Sequence, residues 1–277
     1  MQSIIKKFFN YLGYSIGKMQ AEKALENNDI KYSRFEPYET TFLGHTFYVH
    51  DHDSFLLGIQ ELFTQGKNIY RFHSSKANPY IIDCGANLGM SIIFFKSIYP
   101  NSRIRAFEAD PHIFSFLEKN VKSFGLKDVE LINKAVWKNS EEPLTFWVEG
   151  GAGGRIEKEK NNSAAKFIQV TTTRLKDYLN EKIDFLKIDI EGAEFDVITD
   201  CSDLLYNVDN LFVEYHGFEK TEQNLHNLLS IFQKAGFRYH IKETFTSPEP
   251  FINQRINDGM DLQLNIFCYR KNRNEYF

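Results

Sequence analysis

The residues best suited to chemistry sit in four short stretches. The first is Asp83-Cys84-Gly85-Ala86-Asn87-Leu88-Gly89. An apolar run ends in an acid, a glycine-containing turn follows, and a helical pattern begins. Glycine lets a backbone approach a ligand closely, and a helix start offers free N–H groups. The spacing is not the dinucleotide pattern G-x-G-x-x-G, because Asn87 stands where the second glycine belongs. Asp83 would repel a pyrophosphate but attract an ammonium group, such as the amino-acid end of S-adenosylmethionine. Taken alone, the glycines also suit a plain strand-to-helix turn.

The second stretch is Ala106-Phe107-Glu108-Ala109-Asp110-Pro111, with Glu108 23 residues after Gly85. At that spacing a carboxylate can accept both ribose hydroxyls of an adenosine. Asp110 reads more simply as a helix N-cap ahead of Pro111. The two stretches together favour an adenosine-bearing cofactor. The third is Lys187-Ile188-Asp189-Ile190-Glu191-Gly192-Ala193-Glu194. Strand periodicity places Lys187, Asp189 and Glu191 on one side of a strand that a parallel sheet would otherwise make wholly apolar. Glu194, in the first turn of a helix, is accounted for by the helix dipole. In the fourth, Val213-Glu214-Tyr215-His216-Gly217, Glu214 and His216 share a face. A carboxylate beside a histidine raises its basicity, and histidine is the commonest general base for a hydroxyl proton. A purely structural Glu–His pair has the same sequence.

These stretches need elements to hold them. From about residue 79 to 243, strand-like runs (80–84, 103–108, 129–136, 184–190, 210–216 and 237–241) alternate with helical patterns (90–99, 113–124, 175–180, 195–201 and 222–235). Alternation of this kind predicts a doubly wound α/β fold, a largely parallel sheet with helices on both faces. Residues 142–172 break the rhythm with two strand-like runs around Gly150, Gly151, Gly153 and Gly154, which reads as a hairpin insertion. That glycine loop suits a lid over the acceptor as well as it suits an ordinary hairpin loop. Residues 262–270 read as a last strand. Before residue 79 the chain offers a β-rich run at 40–50 and a helical pattern at 54–64. The expected organisation is therefore an N-terminal helical and β extension, 1–78, followed by the main domain, 79–277.

Ile4, Ile5, Phe8, Phe9, Leu12 and Ile16 fall on one helical face. Such a face covers a core or a partner chain, in a homo-oligomer for example, or rests peripherally on a membrane. Lys6 and Lys7 interrupt the run, no secretory leader is expected, and no run approaches the length of a spanning helix. With 42% hydrophobic and 25% charged residues, the composition excludes a disordered or collagen-like chain. With 33 basic against 37 acidic residues, there is no electrostatic footprint for nucleic acid. Cys84, Cys201 and Cys268 are odd in number and far apart, which argues for buried thiols in a reducing, cytoplasmic setting.

The strings YIIDCGANLGMSIIFF, FEADP, NKAVW, DFLKIDIEGAEFDVI and VEYH, in that order, resemble the FkbM family of S-adenosylmethionine-dependent methyltransferases. The resemblance runs from about residue 79 to 243. It implies a class I methyltransferase, Rossmann-like sheet of seven strands with an antiparallel last strand. It implies that the strands ending at Asp83, Asp189 and His216 lie side by side. Asp83, Gly85, Asn87 and Gly89 match the cofactor loop, and Glu108 matches the ribose acid, with Ala109 beside it where the family more often has another residue. Ala135 and Val136 match the adenine-lining segment. Asp189, Glu191 and His216, with Lys187 leading into them, match the end where acceptor meets methyl group. Family members typically methylate hydroxyls, often on sugars, glycolipids or natural products. His216 or Asp189 is then expected to take the hydroxyl proton. The aromatics Phe146, Trp147, Tyr215, Phe218 and Phe245 are expected near the mouth, where they could stack on a sugar ring.

Two other classes compete: a nicotinamide-dependent oxidoreductase, which shares the ribose acid, and a non-catalytic methyltransferase-like scaffold. Asn87 and Asp83 argue against the former, and retention of the charged strand ends against the latter. Asp189, Glu191 and Glu214 have the oxygen chemistry for a divalent cation, but the same carboxylates serve a sulfonium, and no metal is expected.

Overall fold

The computed structural model describes residues 34–64, 68–140, 143–148, 154–156 and 166–270. The amphipathic face at 4–16 and nearly all of the glycine loop at 150–154 lie outside the described residues. In chain order, β1 (Tyr38–Phe42) and β2 (His45–Val49) form an antiparallel hairpin. Helix α1 (His52–Gly58) is capped by Asp51, which accepts from the Ser54 N–H at 3.1 Å, and runs on as a π-helical turn over Ile59–Phe63. Then follow β3 (Tyr80–Cys84), α2 (Met90–Ile98), β4 (Arg103–Phe107), α3 (Pro111–Ser123), β5 (Val129–Ile132) and β6 (Ala135–Trp137). Next come β7 (Pro143–Val148), β8 (Arg155–Ile156), β9 (Lys166–Arg174) and β10 (Ile183–Ile188). The remainder is α4 (Glu194–Asp200), β11 (Val208–Phe218), α5 (Leu225–Lys234), β12 (Arg238–Phe245) and β13 (Met260–Tyr269).

Seven strands make the main sheet in the order β12-β13-β11-β10-β3-β4-β5. Strands β5, β4, β3, β10 and β11 are mutually parallel, and β13 enters antiparallel between β11 and β12. This is the expected class I methyltransferase arrangement, with the last strand reversed. Every residue of β3 and β10 is buried, as strands covered on both faces must be. Alternate side chains feed two separate cores: Ile82 and Leu186 pack with Val197, Ile198 and Phe232, whereas Ile81 and Phe185 pack with Ile92 and Phe95.

The second core explains the phenylalanine-rich composition. Phe42, Phe47, Phe55 and Phe63, all from the segment before residue 79, pack into it with Phe94 and Phe95. Phe42 meets the rings of Phe47, Phe55 and Phe63 edge-on, the arrangement ring quadrupoles prefer. Asn120, fully buried on α3, ties this layer to the glycine turn. Its Oδ1 accepts from the Tyr48 N–H at 2.7 Å, and its Nδ2 donates to the Tyr48 and Leu88 carbonyls at 3.0 and 2.9 Å.

Four expectations need correction. The run 129–136 is not one strand. Asn133 turns the chain outward, its Nδ2 donating to the Glu108 carbonyl at 2.8 Å, so β5 stays in the main sheet while β6 pairs with β9. The insertion is accordingly more than a hairpin: with β6 it forms a four-stranded sheet, β6-β9-β7-β8. Strand β10 stops at Ile188, before the acidic residues assigned to its periodicity. Residues 175–180 form only a 3-10 turn, Leu175–Tyr178. By contrast, Asp110 does cap α3, accepting from the His112 N–H at 2.7 Å ahead of Pro111.

Replacing Asn120 with alanine strands the Leu88 carbonyl and the Tyr48 backbone groups. The expected loss is about 1–3 kcal/mol, read as a lower urea midpoint at unchanged m value. An unchanged midpoint would mean that the aromatic contacts alone hold the hairpin.

Candidate active site

The carboxyl ends of β3, β10 and β11 lie next to one another, the position where open α/β sheets bind ligands. A cavity of about 270 Å³ opens there. Gly85, Asn87, Glu108 and Ala109 line it, as do Ala135, Val136, Asp189 and Glu191. Gly85 has φ +85°, and a Cβ there would stand 1.9 Å from the Asp189 carbonyl oxygen. Only glycine allows β3 and β10 to end this close together.

Asp83 and Gly89 do not line the cavity. Asp83 is fully buried beneath the turn, accepting from the Ser91 hydroxyl and 3.3 Å from Lys187 Nζ. It is turned away from the cavity wall, towards Ser91 and Lys187. Lys187 Nζ also donates to the Gly85 carbonyl at 2.7 Å and pairs with Asp189 at 3.1 Å. Burial alone would lower the Lys187 pKa, but Asp189 and Asp83 more than reverse it, so the ammonium stays charged well beyond its ordinary range. Gly89, at φ +86°, packs its bare Cα against Leu117, which a Cβ would approach to 2.8 Å.

Glu108 is buried, and each carboxylate oxygen accepts one backbone N–H at 2.9 Å, from Asn87 and from Asp110. Burial pushes its pKa up to about 7 despite those two donors. Each oxygen keeps a second lone pair for a ribose hydroxyl.

Glu191 is reached not by strand alternation but by a turn in which it takes φ +53° and Gly192 takes φ +96°. The turn brings Glu191 Oε2 within 3.5 Å of His216 Nε2. His216 Nδ1 meets Glu194 Oε1 at 2.9 Å, and Gln263 Nε2 lies 2.6 Å from Glu214 Oε1. Glu194, expected only to favour the helix dipole, thus orients the imidazole, and it also accepts from the Gly192 N–H at 3.0 Å. The His216 side chain is wholly buried and absent from the cavity wall. Burial would lower its pKa, but Glu191 and Glu194 raise it well above the ordinary value. His216 is held between Glu191 and Glu194 behind the cavity wall rather than presented to it. Burial raises Glu191 to about 7 and Glu214 to about 8.

Of the aromatics expected at the mouth, Phe146 lines the cavity, while Trp147 and Phe218 sandwich the Arg155 guanidinium at 4.4 and 4.8 Å. Tyr215 belongs to the hydrophobic core on the opposite face of β11, and Phe245 is not on the cavity wall. Sequence reasoning missed Glu61, Tyr70, Thr244 and Gln263, all on the wall. Nothing local distinguishes them, because tertiary packing alone brings them there. Among the described residues, one group has the donors for a metal ion: Asp189, Glu191 and His216, with ligand atoms within 4.8 Å of one another. The ion would have to displace the proton that His216 shares with its carboxylates.

Residues 83–239 match the Methyltransferase FkbM domain. The chain belongs to this family of S-adenosylmethionine-dependent methyltransferases. It is 30% identical over 160 residues to Methyltransferase 1 of Beauveria bassiana (strain ARSEF 2860), a match covering 50% of this chain and 64% of that protein. It is 28% identical over 169 residues to the 2-O-methyltransferase NoeI of Sinorhizobium fredii (strain NBRC 101917 / NGR234), covering 54% and 68%. The matched stretch thus spans about two thirds of each relative. A solved FkbM methyltransferase from Methylobacillus flagellatus KT aligns at 14% identity and TM-score 0.44, over 72% of this chain and 45% of that one. Among the described residues, no helix is long and apolar enough to cross a membrane.

A ribose hydroxyl donates more strongly to an ionised carboxylate than to a neutral one. Because burial holds Glu108 up to about 7, S-adenosylhomocysteine should bind more tightly as pH rises through that value. Glu108→Gln should flatten the dependence in calorimetric titrations. A flat wild-type profile would remove Glu108 as the ribose ligand.

Proposed function

We propose that the protein transfers the methyl group of S-adenosylmethionine to a hydroxyl of a sugar, glycoconjugate or natural product. The observation that carries this is the meeting, in one cavity, of the Gly85 turn, Glu108, and the carboxylates at the ends of β10 and β11, in a chain of the FkbM family. The adenosine lies along Glu108, Ala109, Ala135 and Val136. Asp189, on the cavity wall, takes over the part first given to Asp83 and faces the positive end of the cofactor. The acceptor oxygen attacks the methyl carbon in line, and the carbon–sulfur bond breaks with its electron pair going to sulfur. The products are the methyl ether and S-adenosylhomocysteine.

The hydroxyl proton goes to Glu191. Its pKa of about 7 matches a base working near neutrality, and it stands on the cavity wall where His216 does not. His216, charged and held by Glu194, fixes the Glu191 carboxylate. Lys187 fixes the turn and Asp189. Much of the rate comes from holding the reactants in line. The family membership leaves little room for a nicotinamide-dependent reaction, and differential scanning with S-adenosylhomocysteine against NAD separates the two. Failure of S-adenosylhomocysteine to stabilise the protein would revive the scaffold reading. A cytoplasmic location agrees with three buried free thiols.

With an acceptor found by screening sugars and lipid-linked sugars against labelled cofactor, Glu191→Gln should lower kcat by about 10²–10⁴-fold. Its S-adenosylhomocysteine affinity should change little. Near-normal turnover in both Glu191→Gln and Asp189→Asn would sink the assignment. Activity should survive excess chelator. Loss of activity on chelation, with rescue by a divalent cation, would make Asp189, Glu191 and His216 a metal site instead.

A further inference from the structure

Strands β12 and β13 are joined by a loop, 246–259, with a tied base and a projecting tip. At the base, the Gly259 carbonyl accepts from the Glu219 N–H at 3.0 Å, which fastens the loop to the end of β11. Asn257 and Met260 exchange backbone hydrogen bonds of 2.9 and 2.8 Å across Asp258 and Gly259, both at positive φ. The two arms are pinned together where the Ser247 hydroxyl accepts from the Arg255 N–H at 2.8 Å. Further out, Glu249 and Asn253 form a bridge, and the Glu249 carbonyl accepts from the Ile252 and Asn253 N–H groups at 3.0 and 2.8 Å. Pro250 lies in the turn so closed, and its ring fixes one of the two soft dihedrals there.

That turn carries Phe251 and Ile252 at its tip, 102% and 83% exposed. Ile256, on the returning arm, is exposed as well. A single exposed apolar side chain is ordinary. Two adjacent ones, held out by a hydrogen-bonded turn, form a surface built to meet something apolar.

Area and shape choose the occupant. A stable protein interface buries about 800 Å² on each partner. A Phe side chain supplies roughly 200 Å², and the convex tip of a tight turn offers little beside it. A lipid bilayer needs no complementary pocket: it admits a convex apolar wedge, and aromatic and aliphatic side chains settle between its headgroups and acyl chains. The loop springs from strands whose ends, at Thr244 and Gln263, form part of the cavity wall.

We infer that Phe251 and Ile252 form a membrane-contact site, a wedge that enters the interfacial layer of a lipid bilayer. The loop's charged residues are Glu249, Arg255 and Asp258. With one cation against two anions, the contact works by apolar insertion and needs no anionic lipid. Its consequence, an acceptor hydroxyl presented at a lipid surface, rests on the methyltransferase reading above; the lipid contact itself does not.

The test sediments the full chain with phosphatidylcholine vesicles, with no S-adenosylhomocysteine present, so that failure of the methyltransferase reading leaves the result untouched. The wild type should bind. The double variant Phe251→Ser/Ile252→Ser should partition about tenfold more weakly or worse, with its far-UV spectrum and Tm unchanged. Cys84, Cys201 and Cys268 are buried, so Ile252→Cys offers an accessible thiol for an environment-sensitive fluorophore. Its emission should rise on adding vesicles and be quenched by nitroxide-labelled lipid. Absence of wild-type binding would overturn the inference. Equal binding by the double variant would do the same and move the contact elsewhere, to the apolar face at 4–16 for example. So would emission that nitroxide lipid leaves unchanged. Self-association of the wild type without vesicle binding, abolished in the double variant, would give the tip to a second copy of the chain instead.

Discussion

The Lys187 ammonium is the group on which the site depends. It is a buried positive charge, reached by the carboxylates of Asp83 and Asp189 and by the Gly85 carbonyl. Through it, the end of β3, the glycine turn and the end of β10 are fixed relative to one another. A buried ion pair of this kind contributes little net stability compared with apolar packing, but losing one partner leaves an uncompensated charge and is costly. What the arrangement supplies is placement. The turn that approaches the cofactor and the carboxylate that faces it are set by one contact network. Asp83, which the sequence makes look like a ligand, lies beneath the turn as a counter-ion of Lys187.

The second layer of organisation is electrostatic. Carboxylates line the acceptor end of the cavity, yet burial raises Glu191 and Glu214 towards neutrality. The cleft is therefore less negative than a count of acids suggests. A cation bound beside them would favour their ionised forms. His216 completes the arrangement from behind, carrying positive charge into a place where another carboxylate neighbour would be intolerable.

Much of this was legible in the sequence, and the reasons it was not fully so are physical. Strands β3, β10 and β11 were readable because central parallel strands must be apolar on both faces, so Asp83, Lys187 and Glu214 stand out against Val, Ile, Leu and Phe. The Asp110 cap was readable because capping is local. The turn at Asn133 was not, since the bond that makes it runs to the Glu108 carbonyl just past the end of another strand. Glu191 was placed correctly at the site but for the wrong reason: a left-handed turn, not strand alternation, delivers it. That Asp83 and His216 lie behind the cavity wall was not readable, because alternation assigns a face and not a depth. Glu61 and Tyr70 carried no signal, because tertiary packing alone brings them to the cavity wall.

Strand β13 has an implication for how the protein is made. It pairs on one side with β11 and on the other with β12, both of which precede it in the chain. Neither can complete its hydrogen bonding until that later strand has been synthesised and threaded between them. Gln263, the partner of Glu214, arrives on the same strand. During translation, the half of the sheet carrying the glycine turn can therefore consolidate early, while the acceptor wall stays open until β13 clears the ribosome. Such late, non-local pairing is slow, and it delays the assembly of a competent site until the sheet is closed.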